Sequence, residues 1–364
     1  MKRFKSIALA AFLVVAAVVS VLPAQPVSAV GSAALSIVPK KTYTVEPGKT
    51  VKDTLTIRNL DENETLALTL RVIDFTFNDD GGTPKLMLAE DAPQTTWSMK
   101  PFLKLPETVT IAPRASKTID MSVSIPANQG AGSYYSAIVY STGADDGGNV
   151  GLSASGVTLV FSSIPGKVDE SLGLKKFGAY NLATQGAGVK AGYVGNIGIT
   201  TTKPHAIAYT LENKGNVTES PVGTITLKHM FGKEQVIADV NPNKSLALIG
   251  QTRTFTACIK LKVAPVEFGQ GTTQSTECTT PSLWPGRYTA SLDIFYGQNG
   301  NNTEEIVKTT AFWYLPWWFV IAFLVTLAVI TLLVWRAVVV IRSKFFGGRG
   351  SRRPTSYRSS SRRR

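Results

Sequence analysis

Thr50-Val51-Lys52-Asp53-Thr54-Leu55-Thr56-Ile57 alternates apolar with polar residues, and Leu66–Val72 does so again after Asn59-Leu60-Asp61-Glu62-Asn63. Period-2 alternation is the mark of a half-buried strand, because successive side chains leave a strand on opposite faces. The Asn/Asp-rich stretch between the two runs has turn chemistry, so the pair reads as two strands of an antiparallel sheet. The same pattern recurs outward along the chain. Thr108–Ile111, Ser116–Ile125, Ser133–Tyr140 and Val157–Phe161 read as further strands, with Pro126, Gly130, Gly132 and Asp145-Asp146-Gly147-Gly148 between them. Short strands at such spacing, broken by Gly, Pro and Asn, argue a β-sandwich.

A second unit begins near Gly166. Strands are expected over Leu172–Tyr180, Gly192–Thr201, Ala206–Leu211, Gly223–Met230, Gln235–Val240, Gln251–Leu261, Gly286–Tyr296 and Glu305–Phe312. Val263–Trp284 reads as a long polar insertion rich in Gln and Thr. The two cysteines, Cys258 and Cys278, lie at its flank and inside it. An exported pair can close a disulfide, and that loop would contribute about 3 kcal/mol by restricting the unfolded chain. Two buried free thiols are the alternative.

Leu315–Trp335, LPWWFVIAFLVTLAVITLLVW, holds 21 residues without a charge. As a helix it rises about 32 Å, enough for a hydrocarbon core of ~30 Å. Trp317 and Trp318 crowd one end, and Trp335 with Arg336 marks the other, the positions that interfacial aromatics and snorkelling cations favour. A membrane-spanning helix is therefore expected within 313–341. The remainder, 342–364, is a basic Arg/Ser tail whose composition cannot bury a core. Met1–Ala29 reads as a signal peptide, with Lys2, Arg3 and Lys5, an apolar Ile7–Leu22 and a Val27-Ser28-Ala29 cleavage site. An uncleaved N-terminal anchor is the alternative there.

Charge sets the expected orientation. Ten Lys and Arg and no carboxylate follow Trp335, which places the tail in the cytoplasm and the rest outside. The formal net charge is +13. Removing the ten cations of the tail and the three at the N-terminus leaves the segment between them neutral. The basicity thus argues topology and contact with anionic lipid rather than nucleic-acid binding.

The chain lacks H-E-x-x-H, G-x-S-x-G, a P-loop and a G-x-G-x-x-G following a strand. Its two histidines, His205 and His229, lack ligand spacing to the cysteines. Asp79-Asp80 and Asp145-Asp146 sit beside glycines as ordinary turns rather than calcium loops. Leu105-Pro106-Glu107-Thr108-Val109 misses the sortase pattern LPxTG at its last residue. Trp313-Tyr314-Leu315 is a W-x-L tripeptide already accounted for by its interfacial place. No catalytic, cofactor or metal site is expected, and the chain reads as a non-enzyme.

The expected fold is all-β: two tandem Ig-like β-sandwich domains, 30–165 and 166–312, plus one C-terminal transmembrane helix. The first resembles the Ig-like domain of pilus-chaperone-type and related bacterial surface proteins. The matching pieces are Pro47-Gly48, Ile57-Arg58-Asn59, Val109–Pro113, Val123–Pro126 and Gly132-Ser133-Tyr134-Tyr135. The second resembles adhesion-type sandwiches at Asn213-Lys214-Gly215-Asn216, Gly250-Gln251-Thr252 and Pro285-Gly286-Arg287-Tyr288. Signal peptide, two sandwiches, one anchor and a basic tail together are similar to the WxL-interacting protein family of bacterial cell surfaces. That resemblance implies a single-pass cell-membrane protein that binds cell-wall or surface proteins, with peptidoglycan as a further partner. A membrane-tethered assembly chaperone and a receptor-like sensor are the competing readings. A free edge strand in the first sandwich would favour the chaperone, and a paired edge the binding scaffold.

Overall fold

The computed structural model describes residues 35–89, 92–142, 153–183, 190–194, 198–232, 234–268, 271–297 and 303–346. The expected signal peptide at 1–29, Asp145-Asp146 and the tail from 347 onward lie outside the described residues. Contacts divide the chain into two units. Of the described residues, the first takes those up to Phe75, those within Leu86–Gly130 and those within Tyr134–Ile164; the second takes Thr76–Lys85, Ala131–Ser133 and the described residues from Pro165 onward.

The strands, in chain order, are β1 (Leu35–Ser36), β2 (Lys40–Thr44), β3 (Thr50–Asn59), β4 (Leu66–Ile73), β5 (Phe75–Phe77), β6 (Pro84–Leu86), β7 (Leu103–Lys104), β8 (Thr108–Ile111), β9 (Ser116–Ser124), β10 (Gly132–Thr142) and β11 (Ser153–Ile164). There follow β12 (Leu172–Asn181), β13 (Gly192–Tyr193), β14 (Ile199–Thr200), β15 (Ala206–Asn213), β16 (Val222–His229), β17 (Glu234–Ile237), β18 (Thr252–Cys258), β19 (Leu261–Phe268), β20 (Gly271–Cys278), β21 (Gly286–Tyr296) and β22 (Glu304–Tyr314). The helix α1 covers Trp317–Phe346.

The first unit is a sandwich of two sheets, β1-β3-β9-β7 and β2-β11-β10-β4-β8. The alternation of β3 turns Leu55 and Ile57 inward and Lys52, Thr54, Thr56 and Arg58 outward. Leu55 pairs with Ile119 of β9, so both strands send their apolar faces to one core, which β4 enters with Leu66, Leu68 and Leu70. Strand β10 is buried along nearly its whole length. Its Ile138 and Tyr140 face that core, while Tyr135 packs against Phe75, Phe161 and Trp97. The segment before β3 splits between the sheets: β1 pairs antiparallel with β3, and β2 pairs parallel with β11.

The second unit repeats this plan in its sheets β13-β12-β15-β18 and β14-β22-β21-β16-β17. Again a short strand splits in two, and its latter half, β14, runs parallel to the last strand. Strand β12 is the addition. The repeat extends to a side chain. Asn59, the last residue of β3, is buried and donates through Nδ2 to the carbonyls of Glu64 (2.8 Å) and Ile111 (3.3 Å). Asn213, the last residue of β15, donates likewise to Val217 (2.6 Å) and Ala247 (2.9 Å). In each unit a buried amide satisfies the turn that follows, whose backbone groups would otherwise be left without partners.

Three expectations need correction, and one gains detail. The insertion expected over Val263–Trp284 lies outside the sheets of the sandwich, and much of it is a hairpin: β19 and β20 pair from Leu261↔Cys278 to Phe268↔Gly271. Its Thr and Val favour strand, and two runs flanking a short turn can pair with each other without joining a sheet. The expected strand Gly192–Thr201 is two short strands in different sheets. The second sandwich ends at Tyr314 rather than Phe312, since Trp313 and Tyr314 still pair with Arg287 and Gly286. The helix accordingly starts after Pro316, a residue whose missing N–H costs nothing at a helix start, and it continues past 341 to Phe346.

One clamp ties β2 across the first sandwich. Asp53 of β3 accepts from Lys41 Nζ (2.7 Å) and from the Tyr43 hydroxyl (2.6 Å). These bonds, Lys41 first, hold the Asp53 carboxyl down at about 2. The Tyr43 hydroxyl is pushed well above its usual range by burial and then by Asp53. A carboxylate with a depressed native pKa stabilises the fold fully above the ordinary value of about 4, and that stability is lost as the pH falls towards 2. Asp53→Asn is therefore expected to flatten the acid limb between about pH 4 and pH 2. Urea midpoints of variant and wild type falling in parallel over that interval would contradict the clamp.

Candidate binding cleft

The first unit carries a cleft of about 960 Å³ along the outer edge of β4. It arises because β8 is too short to cover its partner: it pairs with β4 only from Leu66 to Thr69. Past that point Leu70 N–H donates to the Glu107 carbonyl (2.7 Å), and further on Met87 N–H donates to the Asp74 carbonyl (2.9 Å). Ladder alternation turns the amide and carbonyl of Val72 to this same side, so they face the cleft between those two bonds. Met87, Ala89, Ala92, Pro93 and Gln94 form one wall, and Lys100 with Leu103–Leu105, Glu107 and Thr108 forms the other. The volume is that of a ligand or side-chain site. An edge only one residue long cannot accept a full added strand, which needs a series of ladder bonds. Arg71, Lys100 and Lys104 line it with the carboxylates of Glu107 and Asp74, so the described lining residues carry one more cation than carboxylates, and the three cations suit an acidic group.

Asp74 shapes the cleft. It is only 6% exposed. Its Oδ1 accepts from the hydroxyls of Ser98 (2.6 Å) and Ser136 (3.0 Å). Its Oδ2 accepts from the Thr95 amide (3.0 Å) and hydroxyl (3.1 Å). Ser136 in turn accepts from the Met99 amide at 2.9 Å. One carboxylate thus fastens the Thr95–Met99 segment to β10 and to the end of β4. Full satisfaction of its four acceptor bonds marks Asp74 as a positioning group rather than a reactive one.

The opposite edge of the same sheet is occupied. Residues Leu159–Ser163 of β11 pair with Lys40–Thr44 of β2, and Ser153–Thr158 lie beyond that stretch. Lys40 covers the Phe161 ring at 5.2 Å. Lysines on an edge strand oppose pairing with another chain.

Among solved structures the chain is similar to one from a chaperone–tip adhesin complex in CFA/I fimbriae biogenesis, at 11% identity, over 78% of this chain and 100% of that one, with a TM-score of 0.34. It is similar to the E. coli chaperone DraB at 11% identity, over 76% and 98%, TM-score 0.31. A complex of the Salmonella enterica SafA pilin with the SafB chaperone gives 8% identity, 76% and 96%, TM-score 0.30. No family model and no curated protein matches the sequence.

The residues singled out from sequence lie in the second unit. Cys258 and Cys278 are joined, with Cα atoms 5.1 Å apart, and close the base of the β19–β20 hairpin. Trp317 and Trp318 are exposed in the first turn of α1, and Trp335 and Arg336 are exposed further along it. Asp79 and Asp80 lie in the β5–β6 turn. Asp79 accepts from the Thr83 amide and hydroxyl, and Asp80 from the Thr252 hydroxyl (2.6 Å).

The second unit has a cleft of its own, about 830 Å³, between Lys176–Tyr180 of β12 and Thr310–Phe312 of β22. Tyr180 and Tyr193 meet edge to face there at 5.2 Å, and burial pushes the Tyr193 hydroxyl up to about 12. The lining of the β4 cleft escaped the sequence reading. One signal for it was present: the carboxylate of Asp74 interrupts the apolar run Val72-Ile73-Asp74-Phe75, and a buried carboxylate requires donors.

Proposed function

We propose that this chain is a single-pass, non-enzymatic surface protein that holds an acidic segment of an envelope protein in the β4 cleft. The observation that carries the reading is the set of three cations in that cleft, Arg71, Lys100 and Lys104, beside Glu107 and an Asp74 already bonded to Thr95, Ser98 and Ser136. The sandwiches lie outside the cell membrane on this reading, and the basic tail is cytoplasmic. Support for the anchor comes from α1, which has a mean hydropathy of 2.6 over its most apolar window and no buried residue in it. Thirty helical residues rise about 45 Å, which carries Arg342 and Lys344 beyond a ~30 Å core to the far headgroups. The resemblance to WxL-interacting proteins supplies the partner class, cell-wall or surface proteins. A tether raises the effective concentration of the cleft for partners held in the wall.

The double reversal Arg71→Glu/Lys104→Glu in the full-length chain is expected to cut co-purified envelope protein about tenfold, equivalent to about 1.4 kcal/mol. Lys308→Glu, on an exposed position of β22, serves as the control and should change nothing. Equal recovery with both variants would remove the cleft from the account.

A further inference from the structure

The end of the second unit from which α1 leaves carries a surface that the anchor alone does not use. Trp313 and Tyr314 are held on both sides, by Arg287 and Gly286 of β21 and by Ile199 and Thr200 of β14. Leu315 N–H donates to the Thr200 carbonyl at 2.8 Å, and α1 begins two residues later. Two residues reach at most about 7 Å. With α1 across a bilayer, whatever this end of the sandwich presents must therefore meet the headgroups.

What it presents is aromatic and cationic. Phe231, in the β16–β17 turn, is 86% exposed and Trp284 is 74% exposed, and Met230 and Trp313, the latter opposite Arg287 in the register, are exposed as well. Neither is placed by chance. The Met230 amide bonds the Arg287 carbonyl at 3.0 Å, which brings the turn to the start of β21. The Tyr288 hydroxyl brackets the backbone of Trp284, accepting from its amide (2.9 Å) and donating to its carbonyl (3.0 Å). Lys203, Lys260 and Arg287 lie at this same end, where Ile259 N–H bonds the His205 carbonyl. Of the described carboxylates here, Glu234 is bound to Lys228 (2.9 Å) and Glu277 faces Lys262 in the hairpin ladder. Large aromatics among surplus cations, set rigidly, suit a bilayer interface with anionic phosphates.

We infer that this end of the second sandwich is a lipid-docking face. Phe231 and Trp284 enter the interface beside α1, while Lys203, Lys260 and Arg287 meet phospholipid phosphates. The inference rests on the proposed membrane crossing of α1, and the test separates the two. The full-length chain and its Trp284→Phe variant are reconstituted in phosphatidylcholine–phosphatidylglycerol vesicles, with or without bromine high on the acyl chains. The difference between the two proteins isolates the emission of Trp284. Brominated lipid is expected to remove about half or more of it, as it does for the remaining tryptophans of the interface. Loss from the remaining tryptophans with Trp284 unquenched would overturn the docking face while leaving the anchor intact, and would assign the patch to a protein partner. No quenching of either would remove anchor and face together.

Discussion

Asp74→Ala is expected to destabilise the first sandwich by about 3–5 kcal/mol, the range for breaking a buried, charge-assisted network by removing one member. Four acceptor bonds vanish at once. The Ser98 and Ser136 hydroxyls and the Thr95 amide then remain in a site to which water has little access. Asp74→Asn keeps the shape but turns an NH₂ towards donors, so it should cost less than the alanine. Urea denaturation monitored by the near-UV signal of Trp97 and Tyr135, which stack at 5.9 Å, would report it. An unchanged midpoint in Asp74→Ala would show that the segment is held by other means. The same variant frees one wall of the β4 cleft, so stability and partner binding should fall together.

Gly223→Ala is expected to be the most damaging small substitution in the second sandwich. Gly223 sits in β16 opposite Ile294, with φ +149°, where a side chain is strained. A Cβ built there would lie 2.1 Å from the Asp293 carbonyl oxygen and 2.7 Å from the Ile294 Cα. Both obstacles are backbone of β21, which is itself locked to β22, so neither can step aside like a long side chain. Overpacking and the unfavourable φ together put the cost at about 3–5 kcal/mol. Thermal unfolding of the variant against Gly250→Ala tests the cause, because Gly250 also has a positive φ but open space around it. If the two variants lose the same stability, backbone strain alone explains the effect and the clash does not.

The fold was legible wherever one strand face met water. Thr50–Ile57 and Leu66–Val72 alternate cleanly because their outward residues are solvated, and the structure places strands over both. Fully buried β10 was readable from its apolar run and the Gly and Pro before it. The short β1 and β2 were not, and β13 and β14 read as one strand, since strands of two to five residues contain too little alternation to stand out. Their pairing is also non-local: β2 meets β11 more than a hundred residues later, and no local pattern specifies such a partner. The same limit hid the β4 cleft. Arg71, Lys104 and Glu107 converge only because β8 stops short of β4, and the length of a partner strand is not written near Arg71. Asn59 and Asn213 were visible as turn residues, but their burial and shared role emerge only from the repeated topology. The disulfide was readable from the cysteine count together with the expected export.

Site-specific photo-cross-linking on intact cells tests the central claim most directly. A benzophenone side chain would replace Lys104 in the β4 cleft, Val157 of β11 just before its pairing with β2, or Lys308 in the second sandwich. The account predicts an adduct with an envelope protein from Lys104 and none from the other two. An adduct from Val157 with none from Lys104 would contradict it, and would make the chain a tethered chaperone that works through the β11 edge.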